Sequence, residues 1–168
     1  MTTTLCANTK TKLLLVDDDP AMVRLLSRVI DRSFGEKIAL HSLTDPAKAR
    51  DVIERDLIDI LVTDLDMPGI NGLGLLRCAK RNNALTQVLF VTGRSSVDAL
   101  IDALELGATD YLLKPLDQGE MLELLGQAQK RVERWRHALA GTLQTRKYRA
   151  PVADEAVEPA GIVPELVS

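Results

Sequence analysis

Four short apolar runs in this sequence each end on a residue whose side chain can bind a metal ion or a phosphate group. The runs span residues 13–16, 60–63, 88–91 and 111–113. The polar residues that follow them are, in chain order, Asp17 with Asp18, Asp64, Thr92 and Lys114. Short apolar runs bounded by turn residues predict buried strands of a parallel sheet, and such sheets bind ligands at the carboxyl ends of their strands. We therefore expect carboxylates, a hydroxyl and an ammonium group to meet at one edge of a sheet.

The carboxylates of Asp17, Asp18 and Asp64 are the candidate metal ligands at this edge. Like charges at short separation repel each other and require a neutralising cation. Carboxylate oxygens are hard ligands, and no His or Cys accompanies them, so the expected ion is Mg²⁺ or Mn²⁺ rather than zinc. Mg²⁺ retains several waters and bridges carboxylates to phosphate. The acids therefore predict a site with room for a phosphoryl group.

Three further residues suit the oxygens of such a group. Lys114 supplies positive charge, Thr92 supplies a hydroxyl donor, and Gly93 has no side chain to obstruct a phosphoryl group that approaches its backbone N–H. Phosphoryl transfer depends mainly on positioning and charge neutralisation, and a carboxylate can be the nucleophile. The residue types therefore favour phosphoryl-transfer chemistry.

Strands and helices alternate along the sequence in a way that could assemble this edge. The predicted strands are Lys12 to Val16, Lys37 to Leu40, Ile58 to Thr63, Gln87 to Val91 and Thr109 to Leu113. Apolar residues at helical spacing predict a helix after each strand. These helices begin near Pro20, Pro46, Asn71, Ser95 or Ser96, and Asp117. Because every connection is long enough for a crossover, we predict one five-stranded parallel sheet with helices on both faces.

Local signals place the helix ends. Asp45 before Pro46 is a capping residue followed by a first-turn proline. Asp19 precedes Pro20 in the same way, so we assign Asp19 to capping and leave it out of the metal site. The apolar spacing of the second helix extends to Leu57, so we expect the helix to continue to that residue.

Composition limits the possible classes of protein. The chain has 168 residues, enough for one domain with extensions, and is 46% hydrophobic but only 3% aromatic, which predicts an aliphatic core. A net charge of -3 does not indicate a protein built to bind nucleic acid. Cys6 and Cys78 have no metal-ligand spacing and suggest no disulfide framework. Residues 1–12 lack the apolar segment of a secretion signal, and no apolar run reaches membrane-spanning length. The expected location is the cytoplasm, with no membrane partner.

Four motifs together resemble the receiver domain of response regulators in two-component signalling. They are LLLVDDDP (13–20), LVTDLDMPGINGL (61–73), VTG (91–93) and DYLLKP (110–115), and they occur in the family's order. The resemblance covers residues 11–129. It implies a flavodoxin-like (βα)5 three-layer sandwich with strand order 2-1-3-4-5, here with an extended C-terminal helix.

The resemblance also implies roles for the acidic residues. Asp64 would be the phosphoacceptor, taking a phosphoryl group from a phosphohistidine in a Mg²⁺-dependent reaction. Asp18 and Asp64 would bind the metal directly, Asp17 mostly through water, and Asp66 through its backbone carbonyl. The protein would then not be an enzyme, beyond its own phosphorylation from a donor and slow autodephosphorylation.

Other residues take their implied roles around the phosphoryl group. Thr92 and Lys114 would contact its oxygens, as would the backbone at Leu65 and Gly93. Tyr111 matches the family's aromatic switch, which swings inward when Thr92 moves towards phosphate. The face formed by the fourth helix, the fifth strand and the fifth helix, residues 96–127, would then change its protein contacts.

A phosphatase is the alternative from a different class. Asp64-Leu65-Asp66 is a D-x-D sequence after a strand, which resembles the nucleophile motif of haloacid-dehalogenase-type phosphatases. Pro68 stands where that family has Thr or Val, the acidic pair precedes the nucleophile, and the length leaves no room for a cap domain. Turnover of an aryl phosphate would distinguish the two classes.

The sequence beyond the receiver divides into two segments. Residues 130–149 contain seven Lys or Arg against one Glu, which predicts a basic helical extension. Residues 150–168 contain four acids, no bases and three prolines, which predicts a flexible acidic tail. Residues 1–10 are expected to be a flexible leader. Val132, Trp135 and Leu139 continue an apolar seam that we expect the receiver to leave uncovered. The segment is then a dimerisation or partner-docking helix, and the alternative is a frayed helix that folds back on its own domain.

The expected partners follow from this organisation. They are a sensor histidine kinase or phosphotransfer protein, an unknown downstream protein, and a second copy of the chain through the C-terminal helix. The basic residues of that helix are expected to be solvated, and no direct DNA binding is expected. The alternative is that the chain is the receiver portion of a longer regulator and lacks its output domain.

Overall fold

The computed structural model of the chain describes residues 9–93 and 96–148. Its five strands are β1 (Thr11–Val16), β2 (Ile38–Leu43), β3 (Ile60–Thr63), β4 (Gln87–Thr92) and β5 (Asp110–Leu113). Its five helices are α1 (Pro20–Phe34), α2 (Pro46–Arg55), α3 (Gly72–Asn82), α4 (Val97–Glu105) and α5 (Gln118–Tyr148). The strands are all parallel, in the order β2-β1-β3-β4-β5. The predicted flavodoxin-like fold with a long C-terminal helix is confirmed.

The sheet separates two apolar layers because alternate residues of a strand point to opposite faces. On β1, Leu14 and Val16 pack towards α2, α3 and α4, whereas Leu13 and Leu15 pack towards α1 and α5. Every residue of β3 and β4 is buried, as expected for central parallel strands. The central strands therefore hold their carboxyl ends in a fixed arrangement, and the candidate site lies at those ends.

The expected capping residues begin their helices. Asp19 accepts a hydrogen bond from the N–H of Ala21, and Asp45 accepts one from the N–H of Ala47. Ser96 caps α4, whereas Ser95 lies outside the described residues. Asp19 thus lies at the start of α1, as predicted.

Several element boundaries differ from the sequence-based prediction, and the ends of β2 and α2 are two of them. β2 continues to Leu43 because all six of its residues pair in register with β1, although the polar residues His41 and Ser42 weaken its apolar pattern. α2 ends at Arg55, and Leu57 is 62% exposed. The expectation that α2 continues to Leu57 was therefore wrong, because the chain leaves the helix at Asp56.

Helix α5 is anchored to its own domain further along than the sequence indicated. Val132 is only 5% exposed and packs with Leu125 and Ala128 against the α1 side of the sheet, so the expectation that it is uncovered was wrong. Arg136 donates to the backbone carbonyl of Thr9 at 2.9 Å and to Asp59 at 2.6 Å.

Further along α5, apolar side chains become exposed. Trp135 and Leu139 are each 49% exposed, and Leu143 is 59% exposed. Two basic residues of α5 form ion pairs, Arg131 with Asp110 at 3.6 Å and Arg136 with Asp59 at 2.6 Å. The expectation that these two residues are solvated was therefore wrong. The predicted leader up to residue 8 and the predicted tail from residue 150 lie outside the described residues. Among the described residues, no helix combines the length and apolar character that a membrane crossing requires.

Candidate functional site

Three carboxylates converge at the carboxyl ends of the neighbouring strands β1 and β3. Asp17 follows β1 and is 2% exposed, Asp64 follows β3 and is 8% exposed, and Asp18 is exposed at the rim. One oxygen of each lies within 4.8 Å of the others. The parallel pairing of Val16 with Thr63 brings the two strand ends side by side, which is why residues so far apart in sequence meet here.

Lys114 joins two of these carboxylates. Its Nζ lies 2.8 Å from Oδ2 of Asp17 and 2.8 Å from Oδ2 of Asp64. Its backbone N–H donates to the carbonyl of Thr92 at 2.8 Å, so the end of β5 is tied to the end of β4. The peptide bond from Lys114 to Pro115 is cis. The ammonium group thus bridges the two buried carboxylates of the cluster.

The charges of the cluster perturb each other. Burial raises the pKa of Asp17, and the hydrogen bonds from Lys114 and from the backbone of Asp19 only partly oppose that change. For Lys114, burial lowers the pKa, but the hydrogen bonds to Asp17 and Asp64 outweigh it, so its pKa is raised and the group stays cationic. The cost of removing the Asp17 carboxylate from water is thus only partly offset by its hydrogen bond to Lys114.

The second oxygen of Asp64 faces backbone donors. Its Oδ1 accepts from the N–H of Leu65 at 2.6 Å and from the N–H of Asp66 at 3.2 Å. Oδ1 of Asp17 accepts from the N–H of Asp19 at 2.9 Å. Asp64 therefore sits between a lysine on one oxygen and two amides on the other.

The remaining predicted residues surround this centre at different positions. Thr92 is the last residue of β4 and is fully buried, and a Cβ at Gly93 would lie 3.7 Å from Cδ of Lys114. Tyr111 is half-buried on β5, with its ring 5.7 Å from that of Phe90 on β4. The structure therefore groups Asp17, Asp18, Asp64 and Lys114 by direct distances, and places Thr92 and Gly93 on the adjoining strand end.

Two residues at this edge were not singled out from the sequence. Thr63 donates its hydroxyl to the carbonyl of Asp64 at 2.9 Å, and Gly72 donates its N–H to the carbonyl of Leu65 at 2.9 Å. A signal for Gly72 was present, since it directly follows the predicted capping residue Asn71. Thr63 gives no such signal, because a threonine at the end of a strand is an ordinary β-former.

Comparison with known protein families assigns the chain to one of them. A model described as "Response regulator receiver domain" matches residues 13–126, which is more than half of the chain and includes all the residues of the acidic cluster. The chain belongs to the response regulator receiver family. This favours a receiver over the phosphatase alternative, which rested on Asp64 and Asp66 alone.

Curated relatives agree with this assignment over the same region. The chain is 34% identical over 117 residues to response regulator protein PilR of Pseudomonas aeruginosa. This alignment covers 70% of this chain and 26% of PilR. It is 32% identical over 114 residues to the DNA-binding transcriptional regulator NtrC of Klebsiella pneumoniae, covering 68% of this chain and 24% of NtrC. With FleR of Pseudomonas aeruginosa the identity is 33% over 144 residues, covering 86% of this chain and 28% of FleR. The chain thus spans about a quarter of the length of the curated relatives it matches.

Solved structures support the fold. A CheY-like receiver domain from Methanospirillum hungatei has a TM-score of 0.68 at 22% identity, covering 75% of this chain and 98% of that one. A response regulator receiver protein from Pseudomonas putida has a TM-score of 0.63 at 28% identity, covering 72% of this chain and 99% of that one.

Proposed function

We propose that this receiver is phosphorylated on Asp64 by the phosphohistidine of a sensor histidine kinase or phosphotransfer protein, and that phosphorylation switches its protein contacts. The observation that supports this most directly is the placement of Lys114 at 2.8 Å from both Asp17 and Asp64, beside the exposed Asp18. This arrangement combines a nucleophilic carboxylate, a cation for phosphoryl oxygens and a second pair of carboxylates for a metal ion.

In the proposed reaction, a carboxylate oxygen of Asp64 forms the new P–O bond while the P–N bond of phosphohistidine breaks. The imidazole leaves and takes up a proton, so the product is an acyl phosphate on Asp64. Lys114, the hydroxyl of Thr92 and the backbone N–H groups of Leu65 and Gly93 bind the phosphoryl oxygens. These groups supply the charge neutralisation and positioning on which phosphoryl transfer depends.

The acidic cluster fits a divalent metal ion. Asp17, Asp18 and Asp64 offer hard oxygen ligands, and no His or Cys joins their cluster among the described residues. These ligands favour Mg²⁺ or Mn²⁺, with Asp66 contributing its backbone carbonyl. When bound, the ion neutralises negative charge on the carboxylates and on the incoming phosphoryl group.

Phosphorylation then changes the surface built from α4, β5 and α5, approximately residues 96–127. Thr92 and Tyr111 are the proposed switch residues, and Tyr111 already packs on Phe90 of the neighbouring strand. On the outer face of α4, Val97, Ile101 and Leu104 are 73%, 46% and 64% exposed. Exposed apolar residues clustered on one helix face are suited to protein contacts, so a shift of this face would alter partner binding by population shift.

The proposed partners are a phosphodonor protein in the cytoplasm, a downstream protein and a second copy of the chain. We propose residues 11–129 as the signalling unit, with the part of α5 beyond residue 129 as its helical extension. Output through protein contacts rather than direct DNA binding agrees with the net charge of -3. A second candidate is the receiver portion of a longer regulator, which the short coverage of PilR and NtrC favours.

Phosphoramidate, a small donor with a P–N bond, tests the chemistry. With Mg²⁺ it should add one hydroxylamine-labile phosphoryl group per chain, and chelation of Mg²⁺ with EDTA should prevent the addition. An aryl phosphate should release at most about one equivalent of product. Many turnovers of the aryl phosphate, or labelling that is insensitive to EDTA, would contradict the proposal.

A further inference from the structure

Two consecutive peptide planes at the phosphoacceptor direct their N–H groups to the same point. The N–H of Leu65 and the N–H of Asp66 both donate to Oδ1 of Asp64, at 2.6 and 3.2 Å. They belong to the peptide units that join Asp64 to Leu65 and Leu65 to Asp66. Convergent backbone donors of this kind stabilise negative charge when their orientation is fixed in advance.

The carbonyls of the same two peptide units are each held away from that point. The carbonyl of Asp64 accepts the hydroxyl of Thr63 at 2.9 Å, and the carbonyl of Leu65 accepts the N–H of Gly72 at 2.9 Å. A trans peptide unit is planar, with its C=O and N–H on opposite sides. Fixing each carbonyl therefore fixes the direction of the N–H in the same unit.

The burial of Thr63 strengthens its part of this arrangement. Its residue is fully buried, so its hydroxyl has no access to bulk water as an alternative partner. A buried hydroxyl that lost this acceptor would carry an unfavourable desolvation cost. The bond between Thr63 and the carbonyl of Asp64 is thus retained by its surroundings.

Gly72 contributes through close approach as well as through its N–H. A Cβ at this position would overlap the carbonyl oxygen of Asp64 and lie 2.7 Å from Cε1 of Phe90. The first residue of α3 therefore packs directly on the backbone of the phosphoacceptor, where no larger residue fits without moving that backbone. The helix start acts as a rigid support for the peptide unit behind Asp64.

We infer that Thr63 and Gly72 are positioning residues, which hold the amides of Leu65 and Asp66 in the orientation that receives the phosphoryl oxygens. This inference rests on the proposed phosphorylation of Asp64. The residues act through the backbone and do not touch the phosphoryl group or the metal ion themselves. Their removal should weaken binding of the phosphoryl group and leave the carboxylate ligands of the metal in place.

The test measures two dissociation constants in Thr63→Val, which keeps the side-chain shape and removes the hydroxyl. Beryllofluoride, which stands in for the phosphoryl group, is titrated at saturating Mg²⁺ by calorimetry, and Mg²⁺ is titrated alone. We expect the beryllofluoride constant to rise roughly three- to tenfold, the worth of about one hydrogen bond, with the Mg²⁺ constant unchanged. Thr63→Ser, which restores the hydroxyl, should return beryllofluoride binding to the wild-type value.

Thr86 provides a matched control. It is 1% exposed, and its hydroxyl donates to the carbonyl of Ile58 at 2.8 Å, at the opposite edge of the sheet. Thr86→Val should lose a similar amount of stability and keep wild-type beryllofluoride affinity. If Thr63→Val does not fold, Thr63→Ala removes the same hydroxyl in a smaller side chain and gives the same comparison.

The outcomes separate the two proposals. Wild-type affinity for beryllofluoride in a folded Thr63 variant that lacks the hydroxyl, or equal weakening in Thr86→Val, would overturn the positioning role. Failure of Thr63→Ser to recover affinity would also overturn it. Wild-type protein that binds no beryllofluoride at all would instead contradict the proposed phosphorylation of Asp64.

Discussion

Lys114 and the three aspartates form a charge balance that a metal ion can alter. The ammonium group lies 2.8 Å from two carboxylates, while Asp18 has no described hydrogen bond to that lysine. Burial raises the pKa of Asp17, and its hydrogen bond to Lys114 only partly opposes that change. Crowded, partly compensated charges typically mark functional sites.

Replacing Asp18 should therefore separate stability from metal binding. Asp18→Asn removes one of three neighbouring anions, so the metal-free protein should gain up to roughly 1 kcal/mol of stability. The same change should abolish the rise in melting temperature that wild-type protein shows as Mg²⁺ passes its dissociation constant. Thermal melts with and without millimolar Mg²⁺ measure both effects. Asp51→Asn, an exposed aspartate on α2, is the control and should change neither. Equal melting temperatures of the wild-type protein with and without Mg²⁺ would contradict the metal site.

A change at Lys114 should affect signalling more than labelling. Lys114→Ala removes the cation that contacts Asp64 but leaves the nucleophile and the acidic ligands, so acetyl phosphate should still label Asp64, at a reduced rate. The backbone of Lys114 joins the end of β5 to Thr92, so the side chain is the proposed link between phosphate and the switch surface. Partner capture with and without beryllofluoride is the measurement. Phosphorylation-dependent capture that survives in Lys114→Ala would refute this link.

At the level of elements, the sequence predicted type and order well and some boundaries poorly. The cap at Asp45 could be predicted from local sequence, because an aspartate directly before a proline is a common start of a helix. The end of β2 is set by pairing with β1 and cannot be read from the polar residues His41 and Ser42 alone. Likewise, Leu57 continues a helical spacing, but the chain turns away at Asp56. Tertiary pairing decides such boundaries.

The ion pair between Arg136 of α5 and Asp59, which directly precedes β3, should be measurable as a coupling energy. Asp59 accepts from Arg136 at 2.6 Å and from the backbone N–H of Lys12 at 2.7 Å, and its side chain is 15% exposed. Arg136→Gln and Asp59→Asn should each destabilise the protein by about 1 kcal/mol, and the double variant by less than their sum. Urea denaturation of the four proteins gives the coupling. Arg134→Gln, at an exposed position two residues before Arg136, is the control and should leave the free energy of unfolding nearly unchanged. Strict additivity would show that the pair contributes nothing.

For the whole molecule, the limit of the folded unit lies further along α5 than composition indicated. The composition changes near Lys130, but Val132 is buried and Arg136 bonds to Asp59 and Thr9. Charge and hydropathy along one helix do not reveal how far its own domain reaches, since this depends on where the sheet ends. The carboxylate cluster was easier to predict, because parallel strands fix where their ends meet.

The exposed part of α5 should mediate self-association. Leu139 lies seven residues after the buried Val132 and therefore continues the same helix face beyond the domain. Pairing with a second copy would bury Trp135, Leu139 and Leu143, so Leu139→Glu should weaken the dimer at least about tenfold. Added salt should strengthen the wild-type dimer by screening the basic residues. Sedimentation, with and without beryllofluoride, is the measurement.

The control for this prediction is Leu57→Glu, which changes a leucine that is 62% exposed on another part of the surface. It should leave association unchanged. Because Val132 and Arg136 belong to the folded unit, any truncation used here should end after His137 rather than at Lys130. Identical sedimentation of wild type and Leu139→Glu in every condition would rule out this interface.

The central claim is that Asp64 accepts the phosphoryl group, and intact-mass measurement after incubation with acetyl phosphate and Mg²⁺ tests it most directly. Wild-type protein should gain the mass of one phosphoryl group, and Asp64→Asn should gain none. Asp66→Asn, which changes the exposed neighbouring carboxylate, should still be labelled. Labelling that persists in Asp64→Asn, or that is lost in Asp66→Asn alone, would contradict the assignment.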